Sequence, residues 1–210
     1  MRLVLASTSP RRRELLALFN FPFDVRPPTC DEVMAPHRSA AQLVVDFAKA
    51  KANSVAEQEP DALVLASDTL IEADHLAIGK PRDLEEARSM LRHLSGRDHL
   101  VKTAVTAACP ARGFERTEIS TACVRMKPFD ADTHERYLAT GDSLGKAGAY
   151  SIQGPGADLI ERLVGDFTTV VGFPLIVVAR LLAEAGMTVP VDVESIYREK
   201  PYGNWTRFPG

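Results

Sequence analysis

Two short runs, "RLVLA" at residues 2–6 and "DALVLASD" at residues 61–68, constrain this chain most. Neither alternates apolar with polar residues. A strand with one wet face must alternate, so uninterrupted runs of this length belong to strands covered on both faces. Between them lies one long helical pattern, "SAAQLVVDFAKAKANSVAEQ" at 39–58. Its apolar residues recur at the spacing of a single helix face. Strand, helix and strand in that order predict a sheet packed between helices.

The rest of the chain continues in the same way. A helix is predicted from Pro10 to Phe19, and "FDVRP" reads as a short extended piece closed by Pro27 and Pro28. "DLEEARSMLRHLS" reads as a helix ended by Gly96. "HLVKTAVTAACP" and "FERTEISTACVRM" read as long strands around a turn containing Gly113, which makes part of the sheet antiparallel. "DADTHERYLATG" has an Asp N-cap and a Gly after its end, and a Gly-rich stretch follows at 141–156. "FPLIVVARLLAEAG" reads as the last helix. After Val191 no periodicity is visible, and the tail is expected to be poorly ordered. The fold class is therefore α/β: a mixed, twisted sheet with flanking helices. One domain is expected over 1–190, with a tail of unknown role at 191–210.

Composition narrows the function classes. The chain has 210 residues, 45% hydrophobic and 25% charged, with a formal net charge of -3. No global basic field advertises nucleic acid binding. Cys30, Cys109 and Cys123 are far apart and form no metal motif with the five histidines, so a disulfide framework and a zinc site are not indicated. With no signal peptide and no apolar span long enough for a bilayer, a cytoplasmic protein is expected.

The stretch "LASTSPRRREL" raises an electrostatic question. Three arginines crowd a helix N-terminus that already carries partial positive charge. Ser9 is a suitable N-cap and Pro10 suits the first helical position. At about 100° per residue, Arg12 lies roughly 40° and Arg11 roughly 60° from the centre of the apolar face, whereas Arg13 lies roughly 140° away. Arg11 and Arg12 with the helix amides suit a polyphosphate. Alternatively, the run is solvated and its aliphatic stems cover leucines.

Other charged residues are singled out by position. Asp68 stands just past the apolar run of the second strand, where it can hold Mg²⁺, activate a water, or merely cap a turn. Lys51 falls on the inward stripe of its helix, so it needs a buried partner or must snorkel to an edge. Lys80 sits in the turn "IGKPRD". Asp31 and Glu32 add carboxylates. In "GDSLGKAGAYSIQG", three residues rather than four separate Gly141 from Gly145-Lys146, and Ala147 replaces the Ser/Thr, so this is not a Walker loop. Gln153 is either a base-reading amide or a loop residue facing water.

Taken in order, "LASTSPRRREL", "DE" at 31–32, "AKAKA" at 48–52, "SDTLI", "GKPRDLEEARSMLRHLSGRDH", "KAGAYSIQGPGADLI" and "GDFTTVVGFPL" resemble the Maf family of nucleoside triphosphate pyrophosphatases, over about residues 3 to 185. The resemblance implies a two-lobed, ITPase-like α/β fold around a central cleft. It implies hydrolysis of a nucleoside triphosphate to the monophosphate and pyrophosphate with a divalent cation, Mg²⁺ or Mn²⁺. By motif position, Ser7, Arg11 and Arg12 would line the triphosphate site. Glu32 and Asp68 would hold the metal, with Asp68 as proton acceptor. Lys51 and Lys80 would neutralise phosphate charge. Arg11, Thr69 and Gln153 would choose the base. "KAGAYSIQG" resembles the dTTP/UTP branch. The alternatives are a 7-methyl-GTP pyrophosphatase of the same family and a nucleotide-binding septation regulator with little catalysis. A homodimer is implied, without nucleic acid or membrane partners. Ser67, Phe167 and Phe173 depart from the family pattern without removing a charge.

Overall fold

A computed structural model describes residues 1–35 and 37–208. Seven strands form one sheet: β1 (Leu3–Ala6), β2 (Asp24–Arg26), β3 (Leu63–Ala73), β4 (Leu76–Ile78), β5 (Asp98–Cys109), β6 (Phe114–Met126) and β7 (Ile160–Val164). Their order is β2-β1-β3-β5-β6-β7, with β4 paired to the end of β3. β1 is parallel to β2 and β3, and the remaining pairs are antiparallel. The expected mixed sheet is present, and the hairpin around Gly113 is its longest pairing.

The helices are α1 (Pro10–Ala17), α2 (Ala40–Ala56), α3 (Leu84–Leu94), α4 (Ala131–Ala139), α5 (Phe167–Val171), α6 (Leu175–Glu184) and α7 (Val193–Glu199). Helix α2 starts with a complete capping box between Ser39 and Gln42. It covers one face of the sheet. Val4, Ala6, Val64, Ala66 and Ala108 pack there against Ala52 and Val55. Leu3, Leu5, Leu63 and Leu65, the alternate residues of the same strands, join a larger cluster with side chains of α1, α3, α5 and α6. Burial on both faces explains why neither run alternates.

Three expectations change. Strand β3 does not stop at Asp68 but runs to Ala73, so Asp68 lies mid-strand opposite Ala104 of β5. A charged residue continues the ladder because its side chain finds a buried partner. Helix α6 is not the last: α7 and a turn at Trp205–Arg207 follow it. The tail is also folded, with Trp205 only 2% exposed. Its aromatic residues carry no helical period, so periodicity could not reveal their burial.

The register creates an opening in the sheet. One edge of β3 is fully taken by β5, over Val64–Glu72. The other edge pairs with β1 at Leu63–Leu65 and with β4 at Ile71–Ala73. The interval 66–70 therefore has no strand on that edge among the described residues. Asp68 and Thr69 sit in this gap, beyond the carboxyl end of β1. Sheet edges of this kind are where α/β proteins gather ligands.

Candidate active site

Period two along β3 sends Asp68 and Thr69 to opposite faces. Asp68 faces α2, where the inward stripe presents Lys51. Lys51 is 5% exposed, and its ammonium hydrogen-bonds Asp68 Oδ1 and reaches Glu32 Oε1 at 2.7 Å. The inward lysine thus has the buried partner its position demands. Glu32 comes from the irregular segment after β2. That segment is tied to α2 where the Thr29 amide donates to Ser54 Oγ, 3.2 Å, one turn beyond Lys51. Lys80 Nζ stands 3.9 Å from the second Glu32 oxygen.

Thr69 faces the other side. Its hydroxyl pairs with Thr103 Oγ1 at 2.9 Å and lies 3.4 Å from Arg12 Nη2. Arg12 Nε donates to the carbonyl of Gly172 at 3.0 Å, and Ser67 Oγ donates to the same carbonyl at 2.8 Å. Gly172 follows α5 with φ +105, and a Cβ there would meet Thr69 Oγ1 at 2.9 Å. Only glycine supplies both that backbone and that clearance. Asp166 secures the short helix by accepting from the Thr168 and Thr169 amides.

Helix α1 meets the cleft with its N-terminus. Ser9 stands at the N-cap in extended backbone, but its side chain caps nothing. Its amide instead donates to Ser7 Oγ, 3.1 Å. The first-turn amides therefore keep their capacity for an anion. Arg11 and Arg12 are half-buried and Arg13 is exposed, as the helix phase predicts.

These elements enclose a cleft of about 390 Å³. Among the described residues, Arg11, Arg12, Lys51, Lys80 and Lys146 line it against the one carboxylate of Glu32, with Ser7 and Thr69 on its walls. Asp68 lies beneath Lys51, buried to 2%. The structure thus brings together Ser7, Arg11, Arg12, Glu32, Lys51, Asp68, Thr69 and Lys80. Gln153 is not on this cleft. It lines a neighbouring cavity that shares Arg11, Lys146 and Ser151 with it. Two participants escaped sequence reading. Lys146 was visible only as part of a failed Walker pattern. The Gly172 carbonyl carries no side-chain signal, since nothing marks which distant arginine a carbonyl will hold.

Lys80 is placed by contact between two motifs. The Gly148 amide donates to the Gly79 carbonyl at 3.0 Å, which locks "KAGAY" to the lysine turn. Gly148 has φ +67, and a Cβ there would clash with Ile71 Cδ1.

Burial raises the Asp68 carboxyl above its ordinary value, against the lowering pull of Lys51 and Arg12. Burial alone would also raise Glu32, but the Lys51 hydrogen bond and charge, with Lys80 and Arg12, hold it below the usual range. Burial lowers the Arg12 guanidinium, and Asp68 and Glu32 oppose that effect. The two carboxylates thus converge on one cation, and Asp68 Oδ2 is buried with no partner among the described residues. That donor pair is hard, anionic oxygen chemistry, which suits Mg²⁺ or Mn²⁺. No cluster of three His, Cys, Asp or Glu side chains exists among the described residues. A metal there would complete its shell from ligand phosphates and water, as Mg²⁺ commonly does.

The sequence model of a family described as Maf-like protein matches residues 2–185. A dTTP/UTP pyrophosphatase of Moorella thermoacetica is 45% identical over 188 residues, 90% of this chain and 97% of its own. One from Bacillus velezensis is 42% identical over 183 residues, 87% of this chain and 96% of its own. Among solved structures, the Staphylococcus aureus Ham1 protein overlaps 60% of this chain and 72% of its own at 13% identity, with a TM-score of 0.45, too loose to argue from. No helix among the described residues is long and apolar enough to cross a membrane.

Proposed function

The chain belongs to the Maf family, and on that premise we propose that it hydrolyses dTTP and UTP to the monophosphate and pyrophosphate. One observation carries the reading: a buried Asp68–Lys51 pair, joined by the more exposed Glu32, floors a strongly cationic cleft in a chain that matches pyrophosphatases along most of its length. A triphosphate is the ligand that such a cleft neutralises. Arg11, Arg12 and the first amides of α1 bind phosphate oxygens at one end, and Lys51 and Lys80 at the other.

Catalysis follows from positioning and electrostatics more than from covalent chemistry. Arg12 is held rigid by the Gly172 carbonyl, so it meets the developing charge without reorganising. Lys51 bridges both carboxylates in the free protein, and its ammonium turns to phosphate when substrate arrives. That movement frees Asp68, whose burial-raised basicity suits it to take a proton from the attacking water. Glu32 and Asp68 would hold Mg²⁺ or Mn²⁺, which would supply further charge neutralisation on the triphosphate. Base choice falls to Arg11, Thr69 and Gln153, by hydrogen bonds to the pyrimidine edge. A homodimer, cytoplasmic location and a part in cleaning the nucleotide pool belong to the same proposal.

The test is pyrophosphate release from dTTP, UTP, CTP, GTP and 7-methyl-GTP with each metal. Release from dTTP and UTP that falls by at least about 10²-fold in Asp68→Asn is the expected result. A preference for 7-methyl-GTP would overturn the base assignment. Nucleotide binding without release would overturn the reaction.

A further inference from the structure

The family match ends at residue 185, but the chain continues and folds back onto the site. Helix α7 brings Tyr197, whose hydroxyl lies 2.9 Å from Thr168 Oγ1 and donates to Asp166 Oδ1 at 3.1 Å. Trp205 stacks on Phe167 with centroids 5.2 Å apart and an interplanar angle of 11°. Both contacts fall on the α5 segment that carries the Gly172 carbonyl. The anchored indole fixes the residue before it. Asn204 Nδ2 donates to the Ile152 carbonyl at 3.0 Å and to the Gly154 carbonyl at 3.2 Å.

Those two carbonyls flank Gln153. A primary amide has two N–H donors on one nitrogen, so a single Asn can tie both. On the other side, Gly154 is in close contact with Asp142: a Cβ would come within 2.7 Å of Asp142 Oδ2. The backbone around Gln153 is thus confined from both directions. Gln153 Oε1 is buried and has no partner among the described residues. It borders a cavity of about 400 Å³ that Arg11 shares with Tyr202 and Asn204 of the tail.

We propose that Asn204 is a positioning residue for base selection. It sets the backbone at 152–154 so that the Gln153 amide meets the polar edge of the nucleobase, and the tail beyond residue 190 exists in this chain to deliver it. The inference rests on the nucleotide reading of the cleft. Selection by a hydrogen-bonding group is sensitive to small displacements, because a misaimed amide leaves the base edge unpaired.

The experiment uses the full chain, Asn204→Asp and Asn204→Ala. Aspartate keeps the shape but turns oxygens toward both carbonyls. Alanine removes the donors at a partly exposed position, so the fold survives there even if Asn204→Asp proves unstable. Calorimetry compares the α,β-methylene analogue of dTTP, that of GTP, and inorganic tripolyphosphate, which has no base. In both variants the dTTP analogue should bind at least about fivefold more weakly, the loss expected for misplaced hydrogen bonds, with tripolyphosphate affinity unchanged. Turnover of dTTP should show a raised KM with kcat retained, and the preference for dTTP over GTP should shrink. Parallel weakening of tripolyphosphate, or unchanged dTTP binding, would overturn the proposal. If the unaltered chain releases no pyrophosphate, the pyrophosphatase reading fails, while the binding comparison still decides the part played by Asn204.

Discussion

Replacing Lys51 by methionine tests the physical centre of the site without reference to substrate. The ammonium is nearly excluded from water and bonds a carboxylate that is itself 2% exposed. Methionine keeps the stem volume but leaves Asp68 buried beside no ammonium. Removing one member of a buried ion pair costs roughly 3–5 kcal/mol, because the other charge has lost its solvent and its partner. For a chain of this size that corresponds to about 6–20 °C in Tm. Chemical denaturation at neutral pH should show the loss. Acidification should shrink it. Without Lys51 the folded-state pKa of Asp68 rises further above its unfolded value, so the folded variant binds more protons and gains stability, relative to the unaltered chain, as pH falls. Asp68→Asn in the Lys51→Met background removes the orphaned charge and should recover more than half of the loss. A loss below about 1 kcal/mol, or a double variant as unstable as the two single losses added together, would refute the buried-pair account.

Three further outcomes follow from the same geometry. Gly172→Ala places a methyl against Thr69 at a φ of +105, so stability should fall by about 1–3 kcal/mol and tripolyphosphate affinity should fall with it as Arg12 loses its anchor; both are read by denaturation and calorimetry. Arg12→Ala should lower kcat/KM about 10–100-fold, the value of a charged hydrogen bond, whereas exposed Arg13→Ala should change it by less than about threefold; equal losses would put the phase of α1 in error. His99 is buried with Nε2 2.7 Å from Tyr150 Oη, and burial lowers its pKa to about 4. The unfolded chain therefore takes up a proton between pH 6.5 and 4 that the folded chain refuses. Stability should decline by up to roughly 3 kcal/mol across that window, and His99→Gln should lack that component in pH-dependent denaturation.

Much of the site was legible because helix and strand periods encode faces. The phase of α2 put Lys51 inward, and Lys49, two positions earlier, lies on the outer side, where it meets Glu115 at 3.1 Å. The phase of α1 separated Arg11 and Arg12 from Arg13. Two runs without alternation announced a sheet covered on both sides. Such features depend on residues within a few positions of each other, so a linear reading reaches them.

What the sequence could not state was which face meets which. Asp68 looked like the end of a strand because a charge normally closes an apolar run. It lies mid-strand because α2, which precedes β3, packs Lys51 against it on that face of the sheet. The opening beside Asp68 and Thr69 exists because β1 and β4 pair at opposite ends of one β3 edge, and register between distant strands is a property of the packed sheet. The Gly172 carbonyl that holds Arg12 is joined to it across 160 positions, and any backbone oxygen has the same chemistry in sequence. The tail was read as loose because Tyr197, Tyr202 and Trp205 follow no period, yet they lie against α5 and one another. Local spacing thus determined the elements and the side each residue faces. The tertiary structure alone decided the cleft, since its charges are neighbours only after chain segments far apart in sequence have packed.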